Sequence, residues 1–139
     1  MAHWMRFLTR NRPKAAATTE PSPPGLEVRV EERRDSVRLE LKGELDIDTK
    51  LRLEAELGRA EARGPRTVIV DLRGLTFMDS MGLGVLLGAL RRARTGGWRL
   101  VLVKGPEPIE QLLLITGVSN LVDVVDDPDA IGDGGDGVE

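Results

Sequence analysis

Asp79 and Ser80 stand side by side in FMDSMGLGVLL, residues 77–87, where an acid and a hydroxyl break an apolar run just ahead of Gly82 and Gly84. Such a pair can serve nucleophilic catalysis, cation binding or the acceptance of a phosphoryl group. A serine nucleophile on a strand-to-helix elbow needs G-x-S-x-G and a histidine base. Here Met78 replaces the first glycine, and the only histidine, His3, lies in a polar leader. Gly82, Gly84 and Gly88 follow a strand and open a helix, as in a dinucleotide fingerprint. The third glycine comes one residue late, however, and LVLVK ends in Lys104 where an acid should meet the ribose. No GxxxxGK phosphate loop is present. A small-nucleotide-binding or hydrolytic enzyme is therefore an alternative with weak support. Asp46, Asp48, Asp71 and Asp79 could gather around Mg²⁺, but no spacing demands it, and single acids at strand ends commonly cap helices. No metal site and no cofactor are expected.

The simplest role for Ser80 is an N-cap, with its hydroxyl accepting a hydrogen bond from the first helical turn. Asp79 could do that instead and leave Ser80 at the first helical position. The neighbourhood adds a second possibility. Gly82 and Gly84 strip side chains from the first turn, at about 1 kcal/mol each relative to alanine. Bare backbone admits close approach by another protein, and a hydroxyl at a helix N-terminus is well placed to carry phosphate. These features suggest an exposed, modifiable contact point.

The elements that must position this point are legible from periodicity. LEVRVEE and VRLELKG alternate around the polar turn RRDS, which predicts a β-hairpin. ELDIDTKLRLEAELGRAEARG predicts an Asp-rich helix start, a face of Leu53, Leu57 and Ala60, and a stop at Gly64-Pro65. TVIVDL is a continuous strand run of the kind buried on both faces. RGLTFMDS is expected as a loop, followed by a helix whose Leu83, Leu86, Leu87 and Leu90 fall at i, i+3, i+4 and i+7. RRAR near its end and Gly96-Gly97 after it suit a helix C-terminus. WRLVLV, PEPIEQLLLITG and LVDVV then predict a strand, a third helix and a short last strand. The order β-β-α-β-α-β-α-β implies an α/β fold with a mainly parallel sheet and an N-terminal hairpin. Sites in such sheets gather beyond the carboxyl ends of the strands. The segment from Arg73 to Ser80 belongs there, as does GELD at 43–46 if the second strand runs parallel to TVIVDL.

Composition sets the outer bounds. The 139 residues suit one domain, and the formal charge of −3 gives no broad reason to expect direct nucleic-acid binding. The absence of cysteine excludes disulfides, thiolate metal sites and cysteine nucleophiles. No apolar run approaches the roughly 20 residues of a membrane span, so a cytoplasmic protein without stable membrane association is expected. Residues 1–25 form a basic leader with Arg6, Arg10, Arg12 and Lys14, expected to be flexible. The folded domain is expected over 26–126. Residues 127–139 form an acidic, Gly-rich tail with little to bury.

VIVDLRGLTFMDSMGLGVLLGALRRARTGGWRLVLV, with LKGELDIDT upstream and LLLITGVSNLVDVV downstream, resembles the STAS domain of bacterial anti-sigma-factor antagonists. The resemblance covers roughly Leu26 to Val125. Its most specific element is D-L-x-x-L-x-F-x-D-S-x-G-L at 71–83. It implies a non-enzymatic switch, in which a partner anti-sigma factor that is itself a serine kinase phosphorylates Ser80. By the same match, the partner-facing residues are Gly43, Glu44 and Asp46, together with Asp79, Ser80, Met81, Gly82 and Leu83. Many members carry a second small or hydroxyl residue after the serine, where this chain has Met81. The resemblance further implies that the unphosphorylated form frees a sigma factor, that ATP belongs to the kinase, and that a serine phosphatase resets the switch. The alternative within the fold is a STAS interaction module of a stress-signalling or lipid-transport assembly.

Overall fold

The computed structural model describes residues 25–131. The expectations for residues 1–24 and for 132–139 lie outside the described residues. Strands β1 (Leu26–Glu32), β2 (Ser36–Leu45), β3 (Thr67–Met78), β4 (Arg99–Val103) and β5 (Asp123–Val125) alternate with helices α1 (Lys50–Ala62), α2 (Ser80–Gly96) and α3 (Glu107–Ile115) in the expected order. The sheet runs β1-β2-β3-β4-β5. β1 and β2 pair antiparallel, from Leu26 opposite Gly43 to Glu32 opposite Val37. The other three pairings are parallel.

All three helices cover one face of this sheet. Leu53, Leu57 and Ala60 of α1, Leu83, Leu86, Leu90 and Ala93 of α2, and Ile109 and Leu113 of α3 bury against Val37, Leu39, Val68, Val70, Leu100 and Leu102. The helical period of three to four and the strand period of two thus meet in a single core. Arg92 reaches Glu61 with two hydrogen bonds of 2.8 Å, fixing α2 beside α1. The opposite face has a different cover. Ile69, Val101 and Val103 pack there beneath Val125 and Ile131, so the described fold continues past Asp126. Beside them lies a charged network in which Arg38 meets Glu31 at 3.0 Å and Asp129 at 3.9 Å.

RGLTFM is not the loop that the sequence suggests; β3 continues through it to Met78. Two register shifts against β2 explain why alternation hides this strand. Glu40 pairs with Asp71 but Lys42 with Gly74, and Gly43 pairs with Leu75 but Glu44 with Phe77. Each shift inserts one extra residue into β3, as a bulge does. Buried Leu72, Leu75 and Met78 therefore stand three apart instead of two. At the first shift only glycine fits, because a Cβ on Gly74 would sit 2.5 Å from the Leu41 carbonyl oxygen.

Asp71 marks the same irregularity. Its buried carboxylate accepts from the Arg73 backbone N–H at 3.1 Å and from the guanidinium at 3.0 Å and 2.7 Å. Burial alone would raise its pKa, but the hydrogen bonds and charge of Arg73, with Arg38 beyond, outweigh it and hold the carboxyl below its usual 3.8. A depressed folded pKa contributes stability above the unfolded value, and that contribution is lost as pH falls through the folded one. Wild type should therefore lose its melting advantage over Asp71→Asn below about pH 4. An advantage that persists unchanged at lower pH would contradict the pairing. At neutral pH, Arg73→Ala should cost about 1–2 kcal/mol, reduced from the fully buried case because the guanidinium is half exposed.

Candidate functional site

The site grows from the carboxyl ends of β2 and β3, which run parallel and finish together at Leu45 and Met78. Past β2, the chain turns into α1 through Asp46. The Asp46 carboxylate accepts the N–H groups of Asp48 at 3.0 Å and Thr49 at 3.2 Å. The Thr49 hydroxyl in turn donates to the Glu44 carbonyl at 2.9 Å and accepts from the Asp46 N–H at 3.0 Å. The acids here build a turn before the helix, and the first turn of α1 itself contains none.

Past β3, Asp79 caps α2. One carboxylate oxygen accepts from Met81 N–H at 2.9 Å and Gly82 N–H at 3.0 Å. Ser80 occupies the first helical position, exposed, and its hydroxyl has no hydrogen-bond partner among the described residues. Of the two capping arrangements open to the sequence, the structure takes the one that leaves the serine free. Asp79→Ala should accordingly cost about 0.5–2 kcal/mol, the usual value of a lost cap. Ser80→Ala should melt within about 0.5 kcal/mol of wild type, as surface changes do. Thermal melts that reverse this order would contradict the assignment.

The two ends are locked to each other. The Asp79 N–H donates to the Leu45 carbonyl at 3.2 Å. Gly82 lies directly on Leu45, where an added Cβ would come within 2.6 Å of Cγ and 2.7 Å of the carbonyl oxygen. This corrects the expectation that Gly82 bares the first turn to a partner. Gly82 is buried because α2 can approach the end of β2 this closely only without a side chain. Leu83, 6% exposed, likewise turns into the core. The open glycine is Gly84, which is exposed and would place a Cβ with nothing within 4 Å.

The end surface is therefore formed by Glu44, Asp46, Asp79, Ser80, Met81 and Gly84, with Gly43 half-buried at its edge. Sequence reading named Met81 and missed the other apolar members. Ile47 is 59% exposed, Leu51 68% and Phe77 47%, and Met81 joins them. Leu51 was detectable, since it falls off the Leu53–Leu57–Ala60 stripe. Phe77 was not, because the bulge that turns it outward leaves no signal in the alternation. Asp71 does not join the other acids of the site. It is tied to Arg73 on the sheet face away from the helices, and Asp46 and Asp79 are each engaged by backbone N–H groups. Among the described residues, no helix is long and apolar enough to cross a membrane.

Comparison with known proteins places this geometry. The STAS domain family model matches residues 27–130. The anti-sigma F factor antagonist of Paenibacillus polymyxa is 28% identical over 102 residues, spanning 73% of this chain and 87% of that protein. The anti-sigma-B factor antagonist of Staphylococcus aureus is 34% identical over 82 residues, 59% of this chain and 76% of its own length. Among solved structures, the Bacillus cell fate determinant SpoIIAA in its phosphorylated form superposes with a TM-score of 0.61 at 26% identity, covering 76% of this chain and 96% of that one.

Proposed function

Because the chain belongs to the STAS domain family, we propose that it is an anti-sigma factor antagonist switched by phosphorylation of Ser80. The unphosphorylated form binds an anti-sigma serine kinase through the end surface that carries Ser80, and thereby frees a sigma factor. The observation that carries the reading is the exposed hydroxyl of Ser80 at the first position of α2, without a hydrogen-bond partner among the described residues. The names of the relatives, and the existence of SpoIIAA in a phosphorylated form, support it.

The cap gives the switch its physical basis. Helix N-termini attract anions through their free N–H groups. Here the Asp79 carboxylate already takes the N–H groups of Met81 and Gly82. A phosphate on Ser80 would stand beside that carboxylate and project outward, without those two donors to fold onto. It would bring about −1.5 to −2 charges to a surface that already holds Glu44, Asp46 and Asp79. In the transfer, Ser80 Oγ attacks the γ-phosphorus of the kinase's ATP, the bond to the bridging oxygen breaks, ADP leaves, and the hydroxyl proton is released. A separate serine phosphatase would reverse the modification.

The test is site mapping. Incubated with its anti-sigma kinase and ATP, the chain should take phosphate on Ser80 and not on Thr76 or Ser119. Thr76 donates its hydroxyl to the Gly43 carbonyl at 3.2 Å, and Ser119 is half-buried. Full labelling of Ser80→Ala would overturn the assignment.

A further inference from the structure

The apolar rim around Ser80 has an occupant available within this chain. We propose that the segment Trp4–Leu8 docks in cis on the rim formed by Ile47, Leu51, Phe77 and Met81, and competes there with the partner. Competition with the partner rests on the function proposed above; the docking itself does not.

Three observations carry the proposal. The first is where the chain enters the described fold. β1 runs antiparallel to β2, so its first residue, Leu26, sits opposite Gly43 at the Ser80 end of the sheet. The Gly25 carbonyl accepts the Glu44 N–H, and a Cβ on Gly25 would lie 3.2 Å from Thr49 Cγ2. Residues 1–24 are thus anchored at the edge of the rim and not at the far end of the domain. The second is reach. Thr9 to Pro24 is sixteen residues, enough to span at most about 50–58 Å. A domain of this size has a radius of gyration of about 13 Å, so every point of the end surface lies within the tether.

The third is chemical complementarity. Residues 1–24 hold Arg6, Arg10, Arg12 and Lys14 against a single acid, Glu20, with Trp4, Met5, Phe7 and Leu8 at their start. The end surface presents Glu44, Asp46, Asp48 and Asp79 among its exposed or half-buried groups, with Lys42, Lys50 and Arg52 as the cations that neighbour them in the chain. Apolar side chains flanked by arginines meet apolar side chains flanked by carboxylates. A second exposed apolar group, Leu114 and Ile115, lies at the end of α3, where the crossover from β4 has returned towards the amino ends of the parallel strands. It is remote from the anchor at Gly25. A tether of this kind imposes an effective concentration on the order of millimolar, so a contact with a Kd of about 0.1 mM would weaken a competitor roughly tenfold.

The experiment uses the full chain alone, so its result does not depend on any partner. Backbone amide spectra of wild type are compared with those of Trp4→Ser/Phe7→Ser/Leu8→Ser. The proposal expects shift changes concentrated at Ile47, Leu51, Phe77 and Met81, with the wild-type spectrum moving towards the variant as salt rises. The reciprocal Leu51→Ser/Met81→Ser should move the Trp4 indole N–H resonance towards its free position. Spectra that superimpose across the rim, or changes confined to Leu114 and Ile115, would overturn the proposal. So would an unchanged rim combined with blue-shifted Trp4 fluorescence on phosphatidylglycerol vesicles, which would assign the segment to a membrane. With docking established, the triple variant should bind the anti-sigma partner several-fold to tenfold more tightly.

Discussion

Gly82→Leu is expected to lower the melting temperature drastically or prevent folding, whereas Gly84→Leu, two residues on, should melt at or slightly above wild type. The contrast follows from the space at each position. At Gly82 even the first added carbon would fall 2.6 Å from Leu45 Cγ and 2.7 Å from its carbonyl oxygen. The carbonyl belongs to the end of β2 and also accepts the Asp79 N–H, so it cannot yield without opening the junction between strand and helix. Overpacking by a whole side chain costs about 1–3 kcal/mol where neighbours can adjust, and more where backbone is in the way. In a domain of this size each 1 kcal/mol shifts the midpoint by about 4–8 °C. Gly84 has no atom within 4 Å of its would-be Cβ, and replacing a helix glycine by leucine gains up to about 1 kcal/mol. Its side chain would project from the first turn beside Ser80 and obstruct a partner by bulk alone. That block should not soften with salt. A wild-type melt for Gly82→Leu would contradict the close contact between α2 and Leu45.

This contrast also marks what the sequence could and could not disclose. Element order and the core stripes of α1 and α2 were legible because Leu53, Leu57 and Ala60, and Leu83, Leu86 and Leu90, recur at helical spacing and are buried as that spacing requires. The parallel pairing of β2 and β3 brought Gly43–Asp46 to the same end as Ser80, as the topology implied. Two glycines in one helical turn look alike in a sequence, yet one is buried against a strand end and the other is open. Nothing local distinguishes them, since the neighbour that decides is Leu45, far back in the chain. The bulges in β3 were hidden for a related reason. They exist only relative to β2, and their effect is to turn a stretch with broken alternation into strand. Capping was ambiguous between two adjacent residues that are both good caps. The backbone resolved it by placing Asp79 in an extended conformation outside the helix and Ser80 inside it.

Phosphorylation of Ser80 should weaken binding to the anti-sigma partner by about a hundredfold or more. The proposed switch requires an acidic group of the partner opposite Ser80; like charges opposed in that way cost several kcal/mol, and each 1.4 kcal/mol is tenfold in affinity. Ser80→Ala removes the acceptor and keeps a small neutral surface, so it should bind as tightly as the unmodified chain and resist the kinase. Ser80→Asp adds one charge on a shorter arm than phosphoserine and should fall between the two. Its defect should shrink as ionic strength rises, because exposed charges are screened, while the Gly84→Leu block stays constant. Shape and charge are thereby separated at neighbouring positions of one helix start.

The most direct measurement is titration calorimetry of the unmodified and Ser80-phosphorylated chains against the same anti-sigma partner, at low and high salt. The account expects tight binding by the unmodified chain, binding weaker by two orders of magnitude or more after phosphorylation, and a gap that narrows with salt. Equal affinities for the two forms would contradict it.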